Sequence, residues 1–210
     1  MDKKIKIVEN CIEQLFCLVI KSPMAFQSEL DFHTELYRIL YNKLTKIMYF
    51  DKGYRHSDKI LHSNYHSKYR KRRFYDLSIY KRGYDILLEL KKWQPLGSTE
   101  VINDIKKIAN LKPKAGFIIN VNYKKPDFDL YSDKKSMIIN NKRAFSKFRN
   151  KIKEELSKNN KTGLYYYYLY CDYHGHYLKL KSRIKKSEAQ IVDFVYNTKN
   201  MTKEIQKLIS

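Results

Sequence analysis

The chain has 210 residues, and its 43 Lys and Arg residues against 22 Asp and Glu residues give a formal net charge of +21. Because 43% of the residues are hydrophobic, the composition excludes a disordered basic tail, and the length suits one substantial core without requiring two. Positive charge spread over a folded domain predicts a polyanionic partner. Nucleic acid is favoured over a membrane surface, since no segment concentrates basic and aromatic residues on an amphipathic helix.

The cysteines and the start of the chain bear on localisation. Cys11, Cys17 and Cys171 are odd in number and lack a metal-ligand spacing, so three reduced cysteines in a cytoplasmic protein are predicted. Glu9 and Glu13 interrupt the first apolar stretch, so neither a signal peptide nor a membrane span is expected. The many Lys, Tyr and Ile residues are typical of an AT-rich genome, which suggests a virus or mobile element and then the host cytoplasm.

Two helices are predicted before residue 48. Apolar residues at helical spacing indicate an amphipathic helix over about residues 5 to 21, for core or dimer packing. A second helix is expected from Ser28, with Asp31 completing its cap, to about Ile47. At about 100° per residue, Glu29 falls on the buried stripe of this helix and Glu35 falls outside it, so Glu29 is predicted to face inward and Glu35 to be solvated. His33 lies on the Glu29 side and is interpreted as a packing residue.

The segment from residue 51 to 75 is polar, basic and aromatic and is interpreted as a loop. His62 and His66 have no third ligand nearby, so a zinc site is not expected. The interleaved tyrosines Tyr65, Tyr69 and Tyr75 suit base stacking, and the alternative is a solvated basic loop. Phosphate contacts are predicted from the basic residues Lys68, Arg70, Lys71, Arg72 and Arg73, and from Lys92 further on.

Two runs of strand-forming residues flank Lys81-Arg82-Gly83-Tyr84, which is the pattern of a β-hairpin. If Arg82 and Gly83 form the loop, the register places Asp76 opposite Glu89. Side chains alternate faces along a strand, so Lys91 shares the face of Glu89. Opposed Cβ atoms lie about 4.5 to 5.5 Å apart. Both carboxylates could therefore hold one divalent metal ion.

A mixed sheet is predicted downstream of the hairpin. Ser98 can cap a helix that runs to about Leu111, and residues 115 to 122 read as a buried strand, which together make a right-handed parallel crossover. A loop is expected from 123 to 139, followed by a helix ending near residue 156.

The C-terminal part is predicted to hold a second hairpin that turns at His174-Gly175. After it, Ser187 and Gln190 favour a helical tail. Three basic residues alternate along the second strand of this hairpin and are expected to form a basic strand face, namely Lys179, Lys181 and Arg183.

The predicted fold class is α/β, or more exactly an α+β mixed sheet: a central mixed β-sheet flanked by helices, which resembles a restriction-endonuclease-like core. One domain spans 1–210, with its catalytic core at about 28–122, an N-terminal helix at 5–21 and additions from 140 to 210 that comprise a hairpin and a helical extension. The extra N-terminal helix and the tail also favour a homodimer.

The order of an inward Glu on a helix, an Asp on a strand, Glu-x-Lys on the next strand, and then a helix and a strand resembles the PD-(D/E)XK nuclease superfamily. That superfamily includes restriction-endonuclease-like enzymes and archaeal Holliday junction resolvases. The resemblance covers about residues 28 to 122 and depends on Glu29, Asp76 and the Glu89-Leu90-Lys91 triplet. Tyr75 stands where the nominal motif has proline.

The resemblance implies catalytic roles for Glu29, Asp76, Glu89 and Lys91. Asp76, Glu89 and the backbone carbonyl of Leu90 would hold Mg²⁺ or Mn²⁺, Lys91 would orient or help deprotonate the attacking water, and Glu29 would complete the metal or water shell. The expected function is a Mg-dependent DNA endonuclease, structure-selective in the manner of a junction resolvase. The alternative is a non-catalytic nucleic-acid-binding or packaging protein on the same fold.

Overall fold

The structure is a computed structural model that describes residues 3–48, 61–66, 74–81, 84–92, 94, 97–123, 134–156, 162–171, 177–185 and 188–197. Its helices are α1 (Lys3–Lys21), α2 (Glu29–Met48), α3 (Thr99–Leu111) and α4 (Lys134–Glu155), with one 3₁₀ turn at Pro23–Ala25. Its strands are β1 (Leu61–His66), β2 (Phe74–Lys81), β3 (Tyr84–Lys92), β4 (Ala115–Tyr123), β5 (Gly163–Cys171), β6 (Tyr177–Lys185) and β7 (Glu188–Asn197).

The seven described strands form one mixed sheet in the order β1-β2-β3-β4-β5-β6-β7. Strand β4 lies parallel to both β3 and β5, whereas the other neighbouring pairs are antiparallel. The predicted mixed α/β sheet flanked by helices is therefore confirmed, including the parallel connection from β3 through α3 to β4. The parallel strands lie at the centre, where helices cover both faces.

The sheet separates two apolar cores. On one face, α1 and α2 pack on alternate residues of the central strands, with Leu88 and Phe117 among the buried side chains. On the other face, α3 and α4 pack on the intervening residues, with Leu87 and Ile118 among them. Alternation along each strand therefore decides which pair of helices a side chain meets.

Helix α2 begins where the sequence predicts, because its first turn is capped reciprocally. The Ser28 N–H donates to Asp31 Oδ2 at 2.6 Å, and the Asp31 N–H donates to Ser28 Oγ at 3.2 Å. Ser98 caps α3 in a similar way, because its Oγ accepts a hydrogen bond from the Val101 N–H. Both caps fix helix ends that lie beside the end of β3.

Three local predictions are wrong. Residues 188 to 197 form β7, not a helical tail, because the apolar and β-branched residues of this segment pair with β6 and that pairing outweighs the capping signal at Ser187 and Gln190. Residues 134 to 139 belong to α4, not to a loop. The basic segment before the first hairpin is not all loop, since Leu61–His66 pairs with β2 as the edge strand β1.

Other predictions hold for the described residues. Helix α1 lies in the core on the α1/α2 face, and β5 and β6 form the antiparallel pair expected of the second hairpin, whose turn at His174-Gly175 lies outside the described residues.

Cys11, Cys17 and Cys171 form no disulfide bond in the structure. Within the described part of the chain, no helix combines the length and apolar character needed to cross a membrane.

Candidate functional site

The β2–β3 hairpin has the predicted register. The paired positions are Leu77–Leu88, Ser78–Leu87, Ile79–Ile86, Tyr80–Asp85 and Lys81–Tyr84. Asp76 and Glu89 are the next positions after the last described pair. There the ladder stops, and the Leu90 N–H donates instead to Asp76 Oδ2 at 2.6 Å. The Asp76 carboxylate is thereby held against the Leu90 peptide.

Strand alternation brings the three predicted hairpin residues to one face of the sheet. Leu88 and Leu90 belong to the α1/α2 core, so Glu89 and Lys91 point to the α3/α4 face. Leu77 belongs to the same α1/α2 core, which turns Asp76 towards Glu89. Asp76, Glu89 and Lys91 therefore converge as the hairpin register predicted.

Helix α3 adds two charged residues that the sequence analysis missed. The Lys107 ammonium makes an ion pair with Glu89 Oε1, and Lys91 Nζ lies 3.6 Å from Asp104 Oδ2. That second distance is longer than a hydrogen bond, so Asp104 Oδ2 is buried without a hydrogen-bond partner. Two features of the sequence could have identified these residues. The spacing of Asp104 and Lys107 places both on one side of a helix, and the parallel crossover lays that helix on β3.

Burial and like charge act together on the acids of the α3/α4 face. Burial, with a further contribution from the neighbouring Asp76 carboxylate, raises the pKa of Glu89 from 4.5 to about 8, although the Lys107 ammonium opposes the rise. Burial also raises the pKa of Asp104. Burial by itself would lower the pKa of Lys91, but the neighbouring carboxylates, Asp104 foremost, outweigh it and raise that pKa. Lys91 therefore carries its charge at neutral pH.

Glu29 reaches the site from the first position of α2. Its Oε2 accepts a hydrogen bond from the Lys92 N–H at 3.2 Å, and with Leu30, His33 and Asp76 it lines a cavity of about 220 Å³. His33 Nε2 donates to the backbone carbonyl of Asp76 at 2.6 Å, which is the hydrogen-bonded packing role predicted for it. Asp76 thus joins the α2 cavity to the acids beside α3.

The helix-face argument placed Glu29 near the site but misjudged the burial of both glutamates. Glu29 is exposed because it lies at the helix end, where no preceding turn covers it. Glu35 has only 21% of its side chain exposed, and it pairs with Arg38 of the same helix. The Arg38 guanidinium therefore neutralises the Glu35 carboxylate, which is also partly solvated.

The predicted nucleic-acid contacts are only partly described. Residues 67 to 73, which include Lys68, Arg70, Lys71, Arg72 and Arg73, lie outside the described residues. Lys92 alternates with Lys91 and so points to the α1/α2 face, where its ammonium binds the Gln27 carbonyl. Its pKa is lowered by desolvation, although Asp31 and Glu29 oppose this. Lys92 therefore holds the segment before α2 in this structure.

A buried polar row continues across the sheet beside Lys91. Asn120, the parallel partner of Lys91, and Asn122 both donate to the Gln94 carbonyl, at 2.8 and 2.7 Å. Their amides also donate to the hydroxyls of two buried tyrosines, Tyr166 and Tyr168. The connection that leaves β3 directly after the site is thereby fixed to β4.

The predicted basic face of β6 alternates as expected, but α1 neutralises much of it. Lys179 Nζ lies 2.8 Å from Glu13 Oε2, and Lys181 Nζ lies 2.7 Å from Glu9 Oε1. The Tyr167 hydroxyl also donates to Glu9, at 3.2 Å. The exposed Arg183 side chain lies over the Tyr165 ring. This cluster fastens α1 to the sheet and does not present a free anion-binding strand.

The donor chemistry suits a small divalent cation, with two oxygen ligands from the hairpin. Asp76 and Glu89 are adjacent acids, and burial together with the Asp76 charge raises the pKa of Glu89; a bound cation would oppose that rise. The carbonyl proposed as a further ligand belongs to Leu90, the residue whose N–H donates to the Asp76 carboxylate. Among the described residues, however, no three His, Cys, Asp or Glu side chains are gathered as a metal site would gather them. Water and substrate oxygens would have to complete the coordination.

Comparison with protein-family models, with curated proteins and with solved structures gave no match to this chain.

Proposed function

We propose that this protein is a metal-dependent DNA endonuclease of the PD-(D/E)XK type, with Asp76, Glu89 and Lys91 at its centre. The observation that carries the proposal is the convergence of these three side chains on one face of the sheet, where β2 begins and β3 ends. The succession of α2, the hairpin, α3 and the parallel strand β4 supports the same assignment.

Each residue has a distinct role in this proposal. Asp76 and Glu89, with the Leu90 carbonyl, hold the metal ion, which supplies an activated water and stabilises charge on the phosphate when bound. Lys91 is kept protonated by its carboxylate neighbours, so it orients the water and stabilises developing negative charge, and is not the group that removes the proton. Glu29 faces the cavity beside Asp76 and positions water there.

The net charge of +21 supports a nucleic-acid substrate. Selectivity for branched DNA and assembly as a homodimer are further parts of the proposal. The structure removes one reason for expecting a dimer, since α1 is buried within its own chain. Strand β7 likewise pairs with β6 of the same chain.

A binding protein without catalytic activity is the second candidate, and one observation favours it. Lys107 pairs with Glu89, so one acid of the site has a counter-ion without a metal ion. A packaging or binding role would need only the overall positive charge and no exchange of that ion pair.

The experiment is a cleavage assay on plasmid, linear duplex, flap, single-stranded and four-way DNA, in Mg²⁺ and in EDTA. We expect cleavage in Mg²⁺ only, with a preference for branched substrates. Asp76→Asn and Lys91→Met should lower the rate by about 10²- to 10³-fold, the range for losing one preorganised stabilising group. Binding without cleavage under all conditions would favour the second candidate.

Matched variants separate the site from its surroundings. Lys92→Met removes the adjacent lysine on the opposite face and should change the rate by less than about threefold, because that ammonium binds Gln27. Glu29→Gln should reduce the rate, whereas Glu35→Gln should not. If Lys91→Met cuts as fast as the wild type, the site has been assigned to the wrong residues.

A further inference from the structure

Lys107 and Glu89 form an ion pair in which only one partner can move. Glu89 is 2% exposed and is fixed in the middle of the sheet, whereas 25% of the Lys107 side chain is exposed. The ammonium therefore covers the buried carboxylate from the helix side, at the end of a flexible stem anchored on α3.

The position of this ammonium is incompatible with a metal ion on the same carboxylate. A divalent ion bound to Glu89 would lie about 2.1 Å from its oxygen. A lysine ammonium in contact with that carboxylate would lie within a few ångströms of the ion, where like charges repel strongly in a partly desolvated site. Cation binding and the Lys107–Glu89 pair must therefore compete.

The released ammonium has a suitable acceptor in the substrate. Lys91 is held at Asp104, one helical turn before Lys107, so the site already has one cation fixed at an α3 carboxylate. A phosphate that approaches Asp76 and Glu89 would bring non-bridging oxygens beside the stem of Lys107. Lysine binds such oxygens as a point charge, without strict geometry.

We propose that Lys107 is an exchangeable counter-ion, which neutralises Glu89 in the metal-free protein and transfers to a non-bridging phosphate oxygen when a divalent cation takes its place. This inference rests on the proposed function for the destination of Lys107, but not for its release. Lys107 is thus both a competitor of the metal and a substrate-binding residue.

Calorimetric titration of the metal-free protein with Ca²⁺, at a pH where the Glu89 carboxylate is ionised, tests the release directly, without any cleavage. Lys107→Met keeps much of the aliphatic stem and removes the competing charge, so it should bind Ca²⁺ about tenfold more tightly than the wild type. Lys106→Met is the matched control, because Lys106 pairs with Glu155 on α4 and should leave the Ca²⁺ affinity unchanged. Equal or weaker Ca²⁺ binding by Lys107→Met overturns the proposal.

Binding of a fluorescent DNA duplex in Ca²⁺ tests the destination. Lys107→Met should bind DNA roughly three- to tenfold more weakly, for the loss of one phosphate contact, even though it holds Ca²⁺ more tightly. Unchanged DNA affinity would overturn the transfer to phosphate. A variant with opposite changes in its metal and DNA affinities is not expected from a lysine that only stabilises the fold.

Lys107→Arg provides a second variant in case the methionine variant does not fold. Arginine pairs with a carboxylate through two parallel hydrogen bonds, so this variant should bind Ca²⁺ several-fold more weakly than the wild type. Unchanged Ca²⁺ affinity in Lys107→Arg also contradicts the exchange. If the wild type cuts no DNA but the Ca²⁺ affinities shift as expected, the exchange stands and the nuclease function fails; if it cuts and they do not shift, the reverse holds.

Discussion

The two faces of the sheet each carry buried lysine–glutamate pairs, but the pairs differ in how completely they are satisfied. On the α1 side, Glu9 forms an ion pair with Lys181 and accepts a hydrogen bond from the Tyr167 hydroxyl. Within the described residues, no second acid is among these partners of Glu9. On the α3 side, Glu89 has a single described lysine partner and Asp76 as a like-charged neighbour. The difference is between a cluster that holds a helix in place and a cluster whose acids are incompletely compensated.

Hydrogen bonding separates the two faces in the same way. Asp104 Oδ2 is buried without a hydrogen-bond partner, which is costly for a charged oxygen and is usually tolerated only where function requires it. The acids on the α1 side both have hydrogen-bond donors. Buried charge therefore does not by itself distinguish the two faces; the degree to which that charge is compensated does.

The largest expected effect concerns the pH dependence of stability, measured by urea unfolding in EDTA. The pKa of Glu89 is raised in the folded protein, so the folded state binds a proton that the unfolded state releases between pH 4.5 and about 8. This contribution is fully present below pH 4.5 and is lost as the pH rises through 8. Between pH 5.5 and 8 the wild type should lose about 3 kcal/mol relative to Glu89→Gln. Equal pH profiles would show that Lys107 compensates Glu89 completely.

The next effect tests the α1 side, where removing the acid should destabilise the protein. Glu9→Ala leaves Lys181 and the Tyr167 hydroxyl without their acceptor, and the free energy of unfolding should fall by about 2 kcal/mol in chemical denaturation. Glu13→Ala is the matched control on the same helix. Its carboxylate is more exposed than that of Glu9, so its loss should cost less than about 1 kcal/mol. Neither variant should alter the affinity for Ca²⁺. A change in that affinity would show that the α1-side cluster also takes part in cation binding.

The smallest effect concerns Asp104, whose ion-pair partner in the site is Lys91. Asp104→Asn should lower the cleavage rate about tenfold, because Lys91 loses the negative charge that holds its ammonium in place and raises its pKa. Stability should change little, because the loss of the long ion pair with Lys91 is offset by removing the cost of burying the Asp104 charge. The diagnostic measurement is the pH–rate profile, whose alkaline limb should move to lower pH in Asp104→Asn and stay in place in the exposed control Glu100→Gln. An unchanged profile would mean that Asp104 does not position Lys91.

Local patterns determined much of the fold. The reciprocal cap at Ser28 and Asp31, the pairing of Lys81 with Tyr84 and the alternation along β3 are interactions between near neighbours. The sequence alone therefore predicted α2, the hairpin register and the shared face of Glu89 and Lys91. The same reasoning failed at Ser187, where a local helix-capping signal competed with the antiparallel pairing of the residues after it along the whole of β6.

Only the tertiary structure decided which charges meet across elements. Lys107 lies 18 residues from Glu89 in sequence. The predicted crossover from β3 to β4 lays α3 over β3, but only the packing of that helix decides that Lys107 is the residue that meets Glu89. Likewise, Glu9 and Lys181 meet only because α1 packs against β6. Sequence determined the elements and the side-chain faces because backbone periodicity is local, whereas charge compensation is set by distance in space, and the fold alone supplies that distance.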